Sequence, residues 1–239
     1  MRTAAGLDEY EPVRNVVRLA ERLGVAVVCG LDPQLAMADP SDADGTYCGL
    51  TLPSSAIDRP LVATVRPLPG AVQRMTLAHE IGHLVLDANL VSPPRSRDVP
   101  ERRAFDFAGA LLLPERPMRE CINSDSTLAD YLKFKSRYGV SVGAIVMRAQ
   151  RLGLIDSVRA KSLHIQISSR GWRVHEPVEV VQEKSLLLAQ ASDRAWPVNT
   201  VLAAAAQVGL PASLVKAWLN KPDLPEARGD NIISLASRR

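Results

Sequence analysis

Apolar positions along the chain change period several times, and each change marks an element. Val13, Val16, Val17, Ala20 and Leu23 fall at helical spacing with Gly24 as a stop, which predicts a helix over 12–24. An unbroken apolar run at 25–28 then reads as a short buried strand. Over 30–45 the pattern dissolves into Pro33, Pro40, four aspartates and the turn signal Asp44-Gly45, predicting a loop. The β-rich runs 46–52 and 61–66, parted by Pro53 and by Asp58-Arg59-Pro60, predict an antiparallel pair. Helical spacing returns near 72–76 and carries Leu77, Ala78, Ile81, Leu84, Val85 and Leu86. After a proline-rich connector at 91–97, Asp98-Val99-Pro100-Glu101 has the form of a helix start: N-cap, proline in the first turn, glutamate at N3. Pro114 and Pro117 end that helix.

Further along, Ser126 reads as the cap of a helix over 127–137, Gly139 as a turn, and Ser141 as the cap of a helix over 142–152. This pair is expected to be a helical hairpin covering the core. Segments 163–167, 172–175 and 178–181 alternate like short strands around Ser168-Ser169-Arg170-Gly171, predicting a small β-unit. A helix over 184–192 follows, then two helices in 198–221 around Gly209-Leu210-Pro211, with Trp218 as a core or interface anchor. A mobile tail is expected at 222–239. The predicted organisation is a core at 1–125, the hairpin at 126–158, a mixed α/β extension at 159–195, and a C-terminal helical hairpin with tail at 196–239. The class is α+β.

Composition narrows the function less than the pattern does. A net charge of +3 argues for neither nucleic acid nor membrane. Cys29, Cys48 and Cys121 form no C-x-x-C and leave an odd thiol, which suits a reducing cytoplasm. The N-terminus turns acidic before any apolar leader could form, and no run of about 18 apolar residues exists to span a membrane. The expected setting is the cytoplasm.

The chemistry concentrates at His79-Glu80-Ile81-Gly82-His83, the H-E-x-x-H pattern, within a helical apolar run. Residues four apart share a helix face, so His79 and His83 can offer two imidazoles to one ion, while Glu80 can reach a water bound there. Two neutral nitrogen ligands, an open position and an adjacent carboxylate base are the requirements of zinc hydrolysis. Only four histidines occur in the chain, so two at this spacing carry weight. In the next helix Glu101, Phe105, Ala108 and Leu112 share a face, and packing that face on the histidine helix would bring Glu101 towards the pair. On the residues alone, Glu101 reads equally well as a capping-box glutamate bonded to the Asp98 amide. Asp87, in one row with both histidines, is poorly placed to close a tetrahedron. It reads as a hydrogen-bond acceptor for His83 or as a solvated helix end. Leu86 and Asn89 occupy the positions where a metzincin needs glycine and histidine, which excludes that class. His164 and His175 read as surface or satisfied residues.

This motif, followed by Glu101, Ala104, Phe107, Ala108, Leu111, Leu112 and Pro114, resembles the ImmA/IrrE family of metallopeptidases. The likeness extends upstream through Arg74-Met75-Thr76-Leu77-Ala78. Downstream it includes Tyr138-Gly139-Val140-Ser141, Ala144-Ile145, Arg148-Ala149 and Leu152-Gly153, and in all it covers approximately residues 45–155. Three positions depart from the family's habit: Arg103 where an acidic residue or glutamine is frequent, Phe105 where asparagine or aspartate is frequent, and Asp87 where many relatives have histidine. The resemblance implies a zincin-like peptidase core with a helical and mixed C-terminal extension, binding Zn2+ through His79, His83 and Glu101 with Glu80 as base. It also implies a cognate helix-turn-helix repressor as substrate, cleaved to release mobile-element or stress genes. Tyr131, Tyr138, His164 and His175 stay open as donors to the reaction's oxyanion. An extended substrate segment is expected to add to the sheet edge. The alternatives are a regulator that keeps the metal fold without cleaving, for which Glu80 would be superfluous, and direct DNA binding through 126–153 or 198–221.

Overall fold

A computed structural model of the chain describes residues 1–33, 48–55, 58–87 and 98–221. Most of the loop expected at 30–45, the first two residues of the run at 46–52, the connector 91–97 and the tail 222–239 lie outside the described residues. The fold is α+β and mostly helical, with one small sheet among the described residues.

Helix α1 (Val16–Arg22) starts at Asn15, whose side chain accepts from the Arg18 amide, and buries Val16, Val17, Leu19 and Ala20. Strand β1 (Ala26–Cys29) follows across Gly24, at φ +86°, a left-handed value that a side chain would strain. Strands β2 (Gly49–Leu52) and β3 (Leu61–Thr64) form the expected antiparallel pair, Gly49 opposite Thr64 and Leu52 opposite Leu61. The sheet as a whole is mixed, which corrects the small antiparallel sheet predicted from sequence. Strand β1 lies parallel to β3, Ala26 against Leu61 and Cys29 against Thr64, giving the order β1-β3-β2. Parallel neighbours need a long connection, and the stretch between β1 and β3, which includes β2, supplies it. β3 is central because it tolerates burial: Val62 and Ala63 are fully enclosed.

Helix α2 (Gly70–Leu86) is the axis of the molecule. Gln73, Arg74, His79 and Glu80 are buried along with Leu77, Ala78 and Ile81, so α2 is covered on nearly every side. Helix α3 (Val99–Leu112) crosses it closely at Gly82, where a Cβ would stand 3.1 Å from the backbone of Ala104. Helix α4 (Glu115–Cys121) leads to α5 (Leu128–Tyr138) and α6 (Val142–Arg151), the expected hairpin turning at Gly139. Thr127, rather than Ser126, starts α5: Asp130 accepts from the Thr127 amide and hydroxyl at 3.0 and 2.8 Å. Ser126 instead accepts from the Asn123 amide. Leu128, Tyr131, Phe134, Val142, Ile145 and Ala149 carry both helices into the main core, which runs from Val13 to Ile167.

The β-unit predicted after residue 159 does not form. Helix α7 (Ser157–Ser169) occupies 163–167, and no strand is found at 172–175 or 178–181. The sequence from Leu163 to Ile167 alternates, but Ala160, Leu163 and Ile167 also repeat at helical spacing and are the buried set. Asp156 caps the Arg159 amide at 2.7 Å and settles the choice. Helices α8 (Leu187–Ala195), α9 (Thr200–Val208) and α10 (Ala212–Trp218) enclose a second small core of Ala189, Ala204, Ala205, Val215 and Leu219. Trp218 anchors it to the sheet side by donating from its indole nitrogen to the Leu31 carbonyl at 3.0 Å. Among the described residues no single helix is long and apolar enough to cross a membrane, and the apolar pair α9 and α10 is bent by 115°.

An irregular strap between α7 and α8 ties this end to α2. Gln182 donates to the Leu68 carbonyl at 2.7 Å, and Glu183 exchanges hydrogen bonds with the Gln73 side chain at 2.7 and 3.0 Å. The Glu183 carboxylate pairs with buried Arg74 and accepts from the Val17 amide at 2.8 Å. Gly70 admits the strap, since a Cβ there would sit 2.1 Å from the Val180 carbonyl oxygen.

Candidate metal centre

His79 and His83 project from one face of α2, one turn apart, and Glu101 reaches them from the first turn of α3. The two Nε2 atoms are 3.1 Å apart. Glu101 places one oxygen 3.2 Å from His79 Nε2 and the other 3.3 Å from His83 Nε2. All three donors lie within 4.8 Å of one another. Two nitrogens bound to one tetrahedral zinc-sized ion stand about 3.4 Å apart, so the spacing suits a single divalent ion. Asp98 has N-cap backbone geometry without a side-chain capping bond, while the Glu101 carboxylate is at the histidines.

Electrostatics favour a metal over protons. Burial, with a smaller contribution from His83, pushes His79 down to about 4, so its ring is neutral at ordinary pH. His79 Nδ1 is buried without a hydrogen-bond partner among the described residues. A neutral ring carries one proton: a cation on Nε2 leaves it on this Nδ1, whereas without a cation a proton on Nε2 would point into the cluster. A cation held by Nε2 relieves the crowding of acceptor atoms in that cluster. His83 differs: its Nδ1 faces Asp87 Oδ2 at 3.1 Å, which fixes the proton on Nδ1 and leaves Nε2 bare. Asp87 is therefore an acceptor for His83, the first of its two sequence readings. Arg103 from α3 approaches Asp87 at 3.6 Å and donates to the Leu86 carbonyl at 3.4 Å, linking the two ligand-bearing helices.

Glu80 turns to the sheet. Thr51 on β2 donates its hydroxyl to the Glu80 carboxylate at 2.5 Å. Gly49, on the same face of β2, leaves the space the carboxylate fills: a Cβ there would stand 2.3 Å from Glu80 Oε1. Burial pushes the Glu80 carboxyl up, against the opposing pull of the Thr51 hydrogen bond and His83. A carboxylate raised by burial is better matched to taking a proton near neutral pH. Burial likewise raises Glu101, with His83 opposing.

Phe105, one turn beyond Glu101, lays its ring 4.2 Å from the His79 ring between centroids and shields it. The shared face of Glu101 and Phe105 was read from sequence, but Phe105 was expected not to touch the ligands and its ring meets His79; Gly49 and Thr51 were not read as part of the site. A glycine in a strand interior signals close approach by another group, and Gly49 carries that signal. Of the proposed oxyanion donors, Tyr131 is enclosed in the core and the Tyr138 hydroxyl donates to the Tyr10 carbonyl at 3.1 Å. His164 and His175 line the cleft that also includes Phe105, without reaching the ligand cluster. Among the described residues no hydrogen bond joins any of the four to the ligand cluster.

The arrangement can hold a divalent ion on two imidazoles and one carboxylate, with a second carboxylate beside it. Residues 58–150 match a peptidase family described as the IrrE N-terminal-like domain, a span that includes His79, Glu80, His83 and Glu101. No curated protein matches the chain.

Proposed function

We propose, from the match of residues 58–150 to the IrrE N-terminal-like peptidase family, that the chain is a zinc-dependent endopeptidase of the ImmA/IrrE type whose substrate is a cognate helix-turn-helix repressor. The observation that carries the reading is the convergence of His79, His83 and Glu101 with Glu80 alongside. When bound, zinc supplies a Lewis acid and an acidified water. His79 and His83 offer neutral nitrogens, Asp87 orients His83, and Glu101 brings the charge that makes the ligand set selective for a divalent ion. Glu80 accepts the water's proton as the scissile carbonyl is attacked and returns it to the leaving amine. Thr51 and Gly49 keep the Glu80 carboxylate against β2, whose outer edge pairs with no other strand among the described residues. An extended substrate segment pairing with that edge would lie beside the base.

The test pairs metal analysis with cleavage of a helix-turn-helix protein encoded beside this chain, wild type against Glu80→Gln. About one zinc per chain in both, with cleavage only by wild type, is the expected result. Zinc without cleavage by either would favour a regulator that acts by binding alone. No stoichiometric metal after zinc is supplied would remove the basis of the reading.

A further inference from the structure

A cleft of about 1180 Å³ runs from Cys48, just before β2, along α2 and α3 to the chain beyond α7. It adjoins the candidate metal centre without containing it. Met75 lies one turn before His79 on α2, and Phe105, whose ring covers His79, is part of its wall. Farther out the wall is apolar and exposed: Met147 is 47% and Val174 54% accessible.

The charges of this wall are unequal. Lys135 pairs with Glu176 at 2.5 Å, and Arg151 pairs with Asp106, so those cations are spoken for. Arg148, Arg173 and Lys184 remain, against Glu179 alone. Arg148 is the informative member. It lies half-buried against Gly109, where a Cβ would come within 3.2 Å of its Cδ, and its Nε donates to the Leu113 carbonyl at 3.3 Å. No carboxylate among the described residues lies within ion-pair distance of it. Burial holds its guanidinium below the usual arginine range. Asp106 and Glu115 act on it from a distance without a contact pair, and an incoming carboxylate at contact would offset more of the cost of its burial.

We propose that this cleft is the docking site for the protein substrate, and that it takes a segment in which carboxylates alternate with large apolar side chains. The proposal rests on the peptidase reading for its direction, since the cleft leads to the Phe105 wall of the metal centre. Complementarity to Arg148, Arg173 and Lys184 selects the acidic residues, and Met147, Phe105 and Val174 select the apolar ones. Nucleic acid fits less well, because large apolar side chains separate the free cations.

Fluorescence anisotropy on the full chain carrying Glu80→Gln tests this without interference from cleavage. The probes are a labelled peptide alternating glutamate with leucine and phenylalanine, the same peptide with lysine for every glutamate, and a labelled DNA duplex. The acidic peptide is expected to bind at least about tenfold more tightly than the basic one. Arg148→Glu should erase that preference. Arg173→Glu, at an exposed position where misfolding is not expected, should reduce it in the same sense. Equal binding of the two peptides, or an unchanged preference in a folded Arg173→Glu protein, would overturn the proposal. So would tighter binding of the duplex that is lost in the same variants. Acidic-peptide preference in a chain whose wild type cleaves nothing would leave the cleft standing and count against the peptidase. Cleavage of the repressor without any peptide preference would do the reverse.

Discussion

Gly49 is the residue on which the position of Glu80 most directly depends. Gly49→Ala would drive a methyl group into the Glu80 carboxylate. Cleavage should fall about a hundredfold, the usual effect of displacing a reacting group by an ångström, while zinc content stays the same. Kinetic assay beside metal analysis checks both halves. Asp87→Ala acts on the opposite quantity. Freed of its acceptor, His83 can place its proton on the ligand nitrogen, so zinc affinity measured by chelator competition should drop about 10–100-fold. Unchanged affinity would mean that Asp87 does not control the His83 ring. These two residues also mark the limit of reading at this scale. His79, Glu80 and His83 were legible because a helix fixes what lies four residues away. Glu101 needed a second helix to cross the first, and its face pattern hinted at that crossing. Gly49 and Thr51 serve a residue about thirty positions downstream, and only the sheet reveals which one.

Helix starts were legible where a side chain caps its own turn, as Ser141 does for α6 at 3.2 Å from the Ala144 amide. At α5 the expected cap, Ser126, gave way to Thr127, because only Thr127 has Asp130 at the N3 position. Asp130 is held down to about 2, first by the Thr127 amide and then by the Thr127 hydroxyl and Lys133. A carboxylate lowered on folding stabilises the protein above its unfolded value and loses that contribution as pH falls through the folded one. Asp130→Asn should therefore lower the melting temperature at neutral pH. The gap to wild type should narrow from the ordinary aspartate value of 3.8 downwards and close near 2. A gap independent of pH would show that the cap does not act through charge. The β-unit misread at 163–181 has a simpler origin. A five-residue alternation satisfies both periods, and longer-range burial of Ala160, Leu163 and Ile167 decides between them. The parallel partner of β1 was equally out of reach, because pairing across more than thirty residues leaves no local pattern.

At the scale of the whole molecule, Arg74 of α2 and Glu183 of the strap tie α2 to the segment before and within α1, with only 5% and 6% of their side chains exposed. Glu183→Ala would strand a buried cation and should cost about 3–5 kcal/mol by urea denaturation. The double change Arg74→Met with Glu183→Leu should recover much of that loss, because a well-packed apolar pair avoids the desolvation of both ions. If the double variant is no better than the single one, the pair's hydrogen bonds to Val17, Val13 and Tyr138 matter more than its charges. Arg74 lies inside the family-matched segment 58–150, yet Val13, Arg14 and Glu183, three of its four bonded partners, lie outside it. The stretch that is recognisable and the stretch that is transplantable therefore differ in length. Residues 58–150 grafted into a foreign host would arrive with their histidines intact and their central helix missing its keystone. A working graft would have to bring residues 13–17 and the strap with it.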